Sequence, residues 1–412
     1  MAGIEIKKII NNFGYLSLIQ IFNLIFPLII YPYLIRTVGK ENYGIVVFAQ
    51  SIAIYFSLLV NFGFNIYGTD AIAKCNGKVD QISKIVSSVF TVQLLFYITS
   101  ILLLYGVSFL YEDTSSLLLI LGSYLCLHEI AVPVWYFQGI QQMRFIAICN
   151  LVAKLTSLII ILILVVNEDD YLYILAAYAI GSIFCGMLSF WKIFVRDKVR
   201  YSTPSLKNLK DILKNSFPLF VSHSLGGITA KSNAFLIGNF IGKTELSYYD
   251  LAEKLVNMVS VFFANFSNAL FPVMSLKGNP GFVKKTIRTA LALSIFIVIV
   301  IMFLSDSIVT IVGGLDMKDA AHYLVLMSLS IIFRAVGPII STSILVVNGL
   351  SKALSKSFIW DFLIYSLGML LLYYLIGFSI TNIILVYLVS LSAKILYRIF
   401  AAKRNGLVHW LK

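Results

Sequence analysis

Charge is scarce in this sequence. Asp, Glu, Lys and Arg make up only 12% of its 412 residues, against about 25% in a soluble globular domain. Histidine and cysteine are thin as well, with four of each. Cys75, Cys126, Cys149 and Cys185 form no CxxC pair, and His128, His223, His322 and His409 are scattered. Neither set has the spacing of a metal site. Three of the cysteines fall in apolar runs and suit small apolar filler. HExxH, Walker and GxSxG motifs are missing too. No cofactor, no metal and no enzymatic activity are expected.

Apolar residues are abundant. The hydrophobic share is 59% and the mean hydropathy is +0.92. Runs of about 20 apolar residues recur from end to end, the length a helix needs to cross a bilayer. They are continuous, unlike the ten-residue alternations of a membrane barrel. Twelve transmembrane helices are expected: 13–35, 44–68, 85–110, 116–138, 145–166, 172–195, 215–237, 248–272, 286–310, 320–347, 357–377 and 382–401. The first follows Lys7 and Lys8 like a signal peptide. Its run is too long, and no small-residue cleavage site follows, so it is expected to stay attached.

The net charge of +13 has a topological origin. Segments on the N-terminal side of the membrane carry 20 basic residues, and the opposite loops carry four: Arg36, Lys40, Lys243 and Lys318. The positive-inside rule then places both termini in the cytoplasm, with Glu112, Asp113, Glu168 and Asp169 outside. Anionic lipid headgroups, not nucleic acid, are the expected partners of the basic excess.

The longest cytoplasmic connection, Arg196 to Asn215, divides the chain into six spans and six spans. Two weak echoes link the halves. "YLIRTVGKENYG" matches "FLIGNFIGKTELSYY" at an offset of 203 (Gly39, Gly242), and "FQGIQQMRF" matches "VNGLSKALSKSF" at 210 (Gly139, Gly349). Six is even, so both halves begin on the same side, and the repeats are parallel. The expected organisation is an N-terminal lobe at 1–195, a linker at 196–214, a C-terminal lobe at 215–401 and a tail at 402–412.

The stretch "YPYLIRTVGKENYGIVVFAQSIAIYFSLLVNFGFN", with "VWYFQG" at Val134 to Gly139, resembles the N-terminal signature of bacterial O-antigen and capsule-unit flippases, the Wzx-type polysaccharide transporters. That family is related to the multidrug and toxin extruders. The resemblance is concentrated in the first 140 residues. It implies an inner-membrane protein with two six-helix lobes around a central cavity. The implied cargo is an oligosaccharide on undecaprenyl diphosphate, moved by alternating access. The implied partners are membrane lipids, a coupling ion (H+ or Na+), a polysaccharide polymerase and a chain-length regulator.

The charges within the spans are independent of that likeness. A charged group at a helix centre costs about 2.5–3.5 kcal/mol on insertion scales, so the deep ones must face protein or a wet cavity. Depth along each span puts Glu129, Lys154 and Arg334 near the middle, Lys231 in an outer third, and Asp361 and Lys394 nearer the cytoplasm. Lys192 and Arg398 lie close enough to the ends to snorkel. Lys154, Lys231, Arg334 and Lys394 outnumber Glu129 and Asp361, and a cationic cleft of low dielectric favours an anionic cargo. A diphosphate fits such a cleft, with arginine giving a bidentate contact. Asn61 and Asn257 lie on polar stripes that suit sugars: Gln50, Ser57, Asn61 and Asn65 in the second span, and Asp250 to Asn268 in the eighth. Gln20, Asn23 and Tyr31 form a third stripe in the first span. Helix–helix hydrogen bonding is the alternative for each single Asn or Gln.

Glu129 and Arg334 are each followed at i+4 by a proline, Pro133 and Pro338. A proline deprives the carbonyl four residues back of its donor, so both charges are expected at kinks. Burial and a neighbouring cation act on Glu129 in opposite senses. That suits a coupling proton carrier, with Asp361 and Glu253 next in order. An ion pair of Glu129 with Lys154 or Arg334 is the structural alternative. Asp250 and Lys254 have the spacing of an intrahelical pair and form an expected outer rim with Arg36 and Lys40, leaving Glu253 free for the cavity. A cation or drug antiporter, for which an acidic cavity is expected, and a glycan polymerase, for which a large outer loop is expected, are the competing functions. No outer loop exceeds about ten residues, and a mere scaffold would not carry so many interior charges.

Overall fold

The computed structural model describes the backbone of residues 2–111, 115–277 and 280–407, with side chains for Phe26 and from Ile29 onward except 222–223 and 268–279. Glu112, Asp113 and His409 lie outside the described residues, as do the side chains of Gln20, Asn23, His223 and Asn268.

The described residues are helical and contain no strand. In chain order they form α1 (Ala2–Asn61), α2 (Phe64–Lys74), α3 (Val79–Ser108), α4 (Ser116–Gly122), α5 (Tyr124–Ala131), α6 (Val134–Gly139) and α7 (Met143–Leu164). Then come α8 (Tyr171–Phe190), α9 (Leu206–Phe240), α10 (Lys243–Lys277), α11 (Pro280–Gly313), α12 (Ala320–Ile339), α13 (Ser351–Leu371) and α14 (Ile380–Arg404). Among the described residues nine stretches are long and apolar enough to cross a membrane. The faces turned outward are greasy, as in Phe303 on α11 at 83% exposure and Leu102 on α3 at 66%. That is the surface expected of helices standing in hydrocarbon, where only helices or closed barrels satisfy the backbone.

The stretch from Tyr31 to Gly44 lies within α1, which changes direction at Gly39 (φ 76°, ψ 165°). This conformation is essentially open only to glycine. The break is fastened to the segment after α7. Tyr33 donates to the Val165 carbonyl at 2.7 Å, and the Asn42 amide donates to the Glu168 carbonyl at 2.9 Å. The loops expected outside the cell, at 36–43 and 167–171, therefore share one end of the first unit.

The chain forms two compact units, Met1–Ser224 and Leu225–Lys412. In the first, the core gathers around "VWYFQG". Trp135, Tyr136 and Phe137 are fully buried beside Phe64, Val86, Cys149 and Ile193. Gly139 allows this packing, because a Cβ there would stand 2.7 Å from the Ile72 Cβ. The chain after α8 is stitched to α3. Arg200 N–H donates to Ser83 Oγ, and Ser202 N–H to Ser87 Oγ, each at 3.0 Å. Val199 and Ile212 sink into the same core. The four cysteines are buried and unbridged.

Candidate functional site

The expected site residues fall into two groups, one in each unit. In the first unit Glu129 sits two residues before the end of α5, which stops because Pro133 has no N–H to continue it. Opposite lies a second break, between α1 and α2, where Phe62 and Gly63 both take positive φ. Asn61, the last residue of α1, donates to Glu129 Oε2 at 2.6 Å. Two interrupted helices thus meet at a carboxylate. It is met by an amide, where the sequence suggested Lys154 or Arg334 as an ion-pair alternative. Lys154 lies with its ammonium 5.0 Å from the centre of the Phe26 ring. Gln50 donates to Tyr124 Oη at 2.9 Å. The polar stripe of the second span is therefore largely a hydrogen-bonded seam between helices. Arg36 is exposed and Lys40 half-buried beside the Gly39 break.

In the second unit Arg334, Lys394 and Asn257 line a cavity of 430 Å³ between α10, α12, α13 and α14, while Lys231, Asp250, Glu253, Lys254 and Asp361 are not among its lining residues. Arg334 comes from α12, one turn before Pro338, after which Ile340–Val346 winds as a wider π-helix. Its guanidinium donates to Asn257 Oδ1 and Ser260 Oγ on α10, and to Tyr387 Oη on α14 at 2.8 Å. A guanidinium has five N–H donors, so this clamp leaves two for a ligand. Lys394 donates to Asp361 Oδ2 at 2.6 Å. Arg398 donates to Ser357 Oγ at 3.0 Å and to the Gly337 carbonyl at 3.1 Å. Phe358 lies under both α14 cations, 5.7 Å from Lys394 and 5.3 Å from Arg398. Three cations therefore line the cavity, and one of them, Lys394, is paired with Asp361. Asp361 is 1% exposed, and among the described residues its Oδ1 has no hydrogen-bond partner.

Several expectations change here. Arg398 was placed at the interface by its position near the end of a span. It is 5% exposed and belongs to the cavity, because Ser357 and the Gly337 carbonyl satisfy it inside. Lys192 is also buried and pairs with Asp197 instead of snorkelling. Glu253 is not free: Lys231 approaches it at 3.7 Å. Asp250 and Lys254 form the expected intrahelical pair. Tyr387, like Arg398, is a site residue that sequence reasoning missed. Its signal was legible, since 387, 391, 394 and 398 recur at a helical spacing.

The sequence and the fold have counterparts. A model of the polysaccharide biosynthesis protein family matches residues 9–276. A Shigella dysenteriae protein provisionally named an O-antigen transporter is 28% identical over 376 residues, covering 89% of this chain and 93% of that protein. Among solved structures, the lipid II flippase MurJ in an inward closed conformation has a TM-score of 0.76 at 19% identity, covering 94% of this chain and 87% of that one. An inward-facing multidrug resistance MATE family transporter of the MOP superfamily has a TM-score of 0.70 at 13% identity, covering 93% and 98%. At such identities these structures establish the shared all-helical membrane fold.

Proposed function

The chain belongs to the polysaccharide biosynthesis protein family, and from that premise we propose that it is a flippase for a lipid-linked oligosaccharide. Its cargo is a glycan on undecaprenyl diphosphate, carried across the bacterial inner membrane for surface polysaccharide assembly. One observation carries this assignment: Arg334, Lys394 and Arg398 line the cavity of the second unit, no acid is among its described lining residues, and Asp361 is already engaged by Lys394. Buried, unbalanced positive charge asks for an anion. A diphosphate supplies it, and Arg334 adds planar, bidentate recognition. A cationic drug would meet repulsion in the same place, which argues against an antiporter of that kind.

The lobes 1–195 and 215–401 alternate access, with both termini in the cytoplasm and Arg36, Lys40, Asp250 and Lys254 at the outer rim. Lys154 and Asn61 belong to the same cargo path, and Lys231 joins it when its long contact with Glu253 opens. Glu129 is the favoured coupling group for a proton, and Asp361 and Glu253 are the alternatives. A polymerase and a chain-length regulator receive the product. The transporter itself makes and breaks no covalent bond.

Complementation tests the assignment. In a strain lacking its own O-unit flippase, the wild-type chain restores surface polysaccharide. Arg334→Ala and Lys154→Ala abolish export at equal protein level, and Arg334→Lys restores it only in part. Full surface polysaccharide from the Arg334→Ala variant would overturn the phosphate assignment.

A further inference from the structure

The second unit has another cavity, apart from the one assigned to cargo. It measures 760 Å³ and lies where the segment after α12, the first turn of α13 and the end of α14 come together. Lys352, Lys356 and Arg404 line it, with Tyr397 and Phe400 as apolar wall. All three cations are exposed, and none has an ion-pair partner among the described residues. The first turn of α13 also lines the cavity; Ala353 and Leu354 donate to the Leu350 carbonyl, which leaves the N–H groups of Ser351 and Lys352 as the turn's open donors.

This part of the sequence carries no acidic side chain besides Asp361 to neutralise those charges. Between Asp319 and Asp361 there is no acidic residue, and after Asp361 there is none to the end. Asp361 itself is buried against Lys394. The corresponding place in the first unit, after "FQG", is arranged differently. There the chain supplies its own acid: Asp197 accepts from Tyr136 Oη at 2.9 Å and pairs with Lys192. One half closes this corner with an internal carboxylate, and the other leaves three bases open.

The flank of the open corner is made for lipid. Phe400 is 59% exposed and Trp360 48%, with the Trp360 and Tyr397 rings 6.5 Å apart. Aromatic residues of this kind collect at the headgroup level. Basic pockets between helices on the cytoplasmic side suit anionic headgroups.

We propose that this corner is a binding site for the phosphate headgroup of an anionic phospholipid. Lys352, Lys356 and Arg404 hold the phosphate, the N–H groups of Ser351 and Lys352 donate to it, and the acyl chains run past Trp360 and Phe400. The site is distinct from the cargo cavity and does not depend on the cargo assignment.

Native mass spectrometry of the full-length protein, ejected from nanodiscs of phosphatidylglycerol and phosphatidylcholine mixed equally and free of cargo, tests it. The wild type retains phosphatidylglycerol preferentially. Each basic group near a membrane surface contributes roughly fivefold, so the K352Q/K356Q/R404Q variant loses about a hundredfold of that preference. K356Q alone loses roughly fivefold. K403Q, which removes a neighbouring base outside the cavity lining, stays near wild type. All these side chains are exposed, and an unchanged melting temperature verifies the fold of each variant. Undiminished preference in the triple variant overturns the site, and so does an equal loss in K403Q. A third arm adds millimolar inorganic phosphate. Displacement of the lipid by phosphate alone would make the corner a free-phosphate site and overturn the lipid assignment.

Discussion

The Asp361–Lys394 pair is the sharpest place to perturb the molecule. Asp361 is 1% exposed and the Lys394 side chain 16%, with 2.6 Å between their charged atoms. Breaking a buried pair by removing one partner typically costs about 3–5 kcal/mol, because the survivor stays buried and uncompensated. The two ends of this pair are not equivalent. Asp361→Asn takes the carboxylate from both Lys394 and Arg398, so the full cost of about 3–5 kcal/mol is expected. Lys394→Met leaves Asp361 with Arg398, which also interacts with it. The cost then falls to that of an unsatisfied hydrogen bond, about 1–3 kcal/mol. The double variant has no broken pair, and a coupling energy of about 2–3 kcal/mol is expected. The assay is SDS-driven unfolding of the purified protein in mixed micelles, followed by tryptophan fluorescence, for the wild type and all three variants. Equal losses from the two single variants, adding in the double, would refute a shared cluster in which one carboxylate serves several cations.

Three further outcomes are expected. Glu129→Gln keeps its Asn61 partner in place, and in proteoliposomes it loses transport driven by a pH gradient while retaining substrate binding; wild-type transport that still responds to the gradient would transfer the role to Asp361 or Glu253. Gly39→Ala forces a side chain into a glycine-only conformation and lowers stability by about 1–3 kcal/mol in the same SDS assay, although nothing lies within 4 Å of the added Cβ. Cysteine replacements at 168 and 169 label in intact cells and one at 207 does not; the native cysteines, all buried, give little background, and labelling at 207 would reverse the topology.

What could be read ahead of the structure depended on whether the signal was local. Helical segments show in run length, because hydrocarbon thickness sets it. The break at Pro133 was legible for the same reason: a missing N–H acts within one turn. Pro338 acts as locally, but its helix continues through a wider stretch at Ile340–Val346, which composition does not announce. Partners are a different matter. Glu253 meets Lys231 on another helix, and no spacing within α10 could reveal it. Arg398 was misplaced because distance along a span measures depth and not direction. A side chain one turn from the end can still turn inward when a serine and a carbonyl await it. Asn61 stands on a polar stripe that the sequence shows, but the Glu129 carboxylate its amide meets lies on another helix, a partner no spacing within α1 could reveal.

The chain after α8 has a practical consequence. Arg200 and Ser202 are held to α3 by serine hydroxyls, while α9 starts at Leu206 and sends Ile212 into the first unit's core. Both sides of the short stretch 203–205 are thus anchored without each other's help. A cut made there would release two polypeptides, the second carrying on its leading end a greasy plug shaped for the first. The gene can be divided at this point and its halves produced from separate plasmids, each tagged on its own. Reassembly then becomes a selectable readout of how well that plug fits.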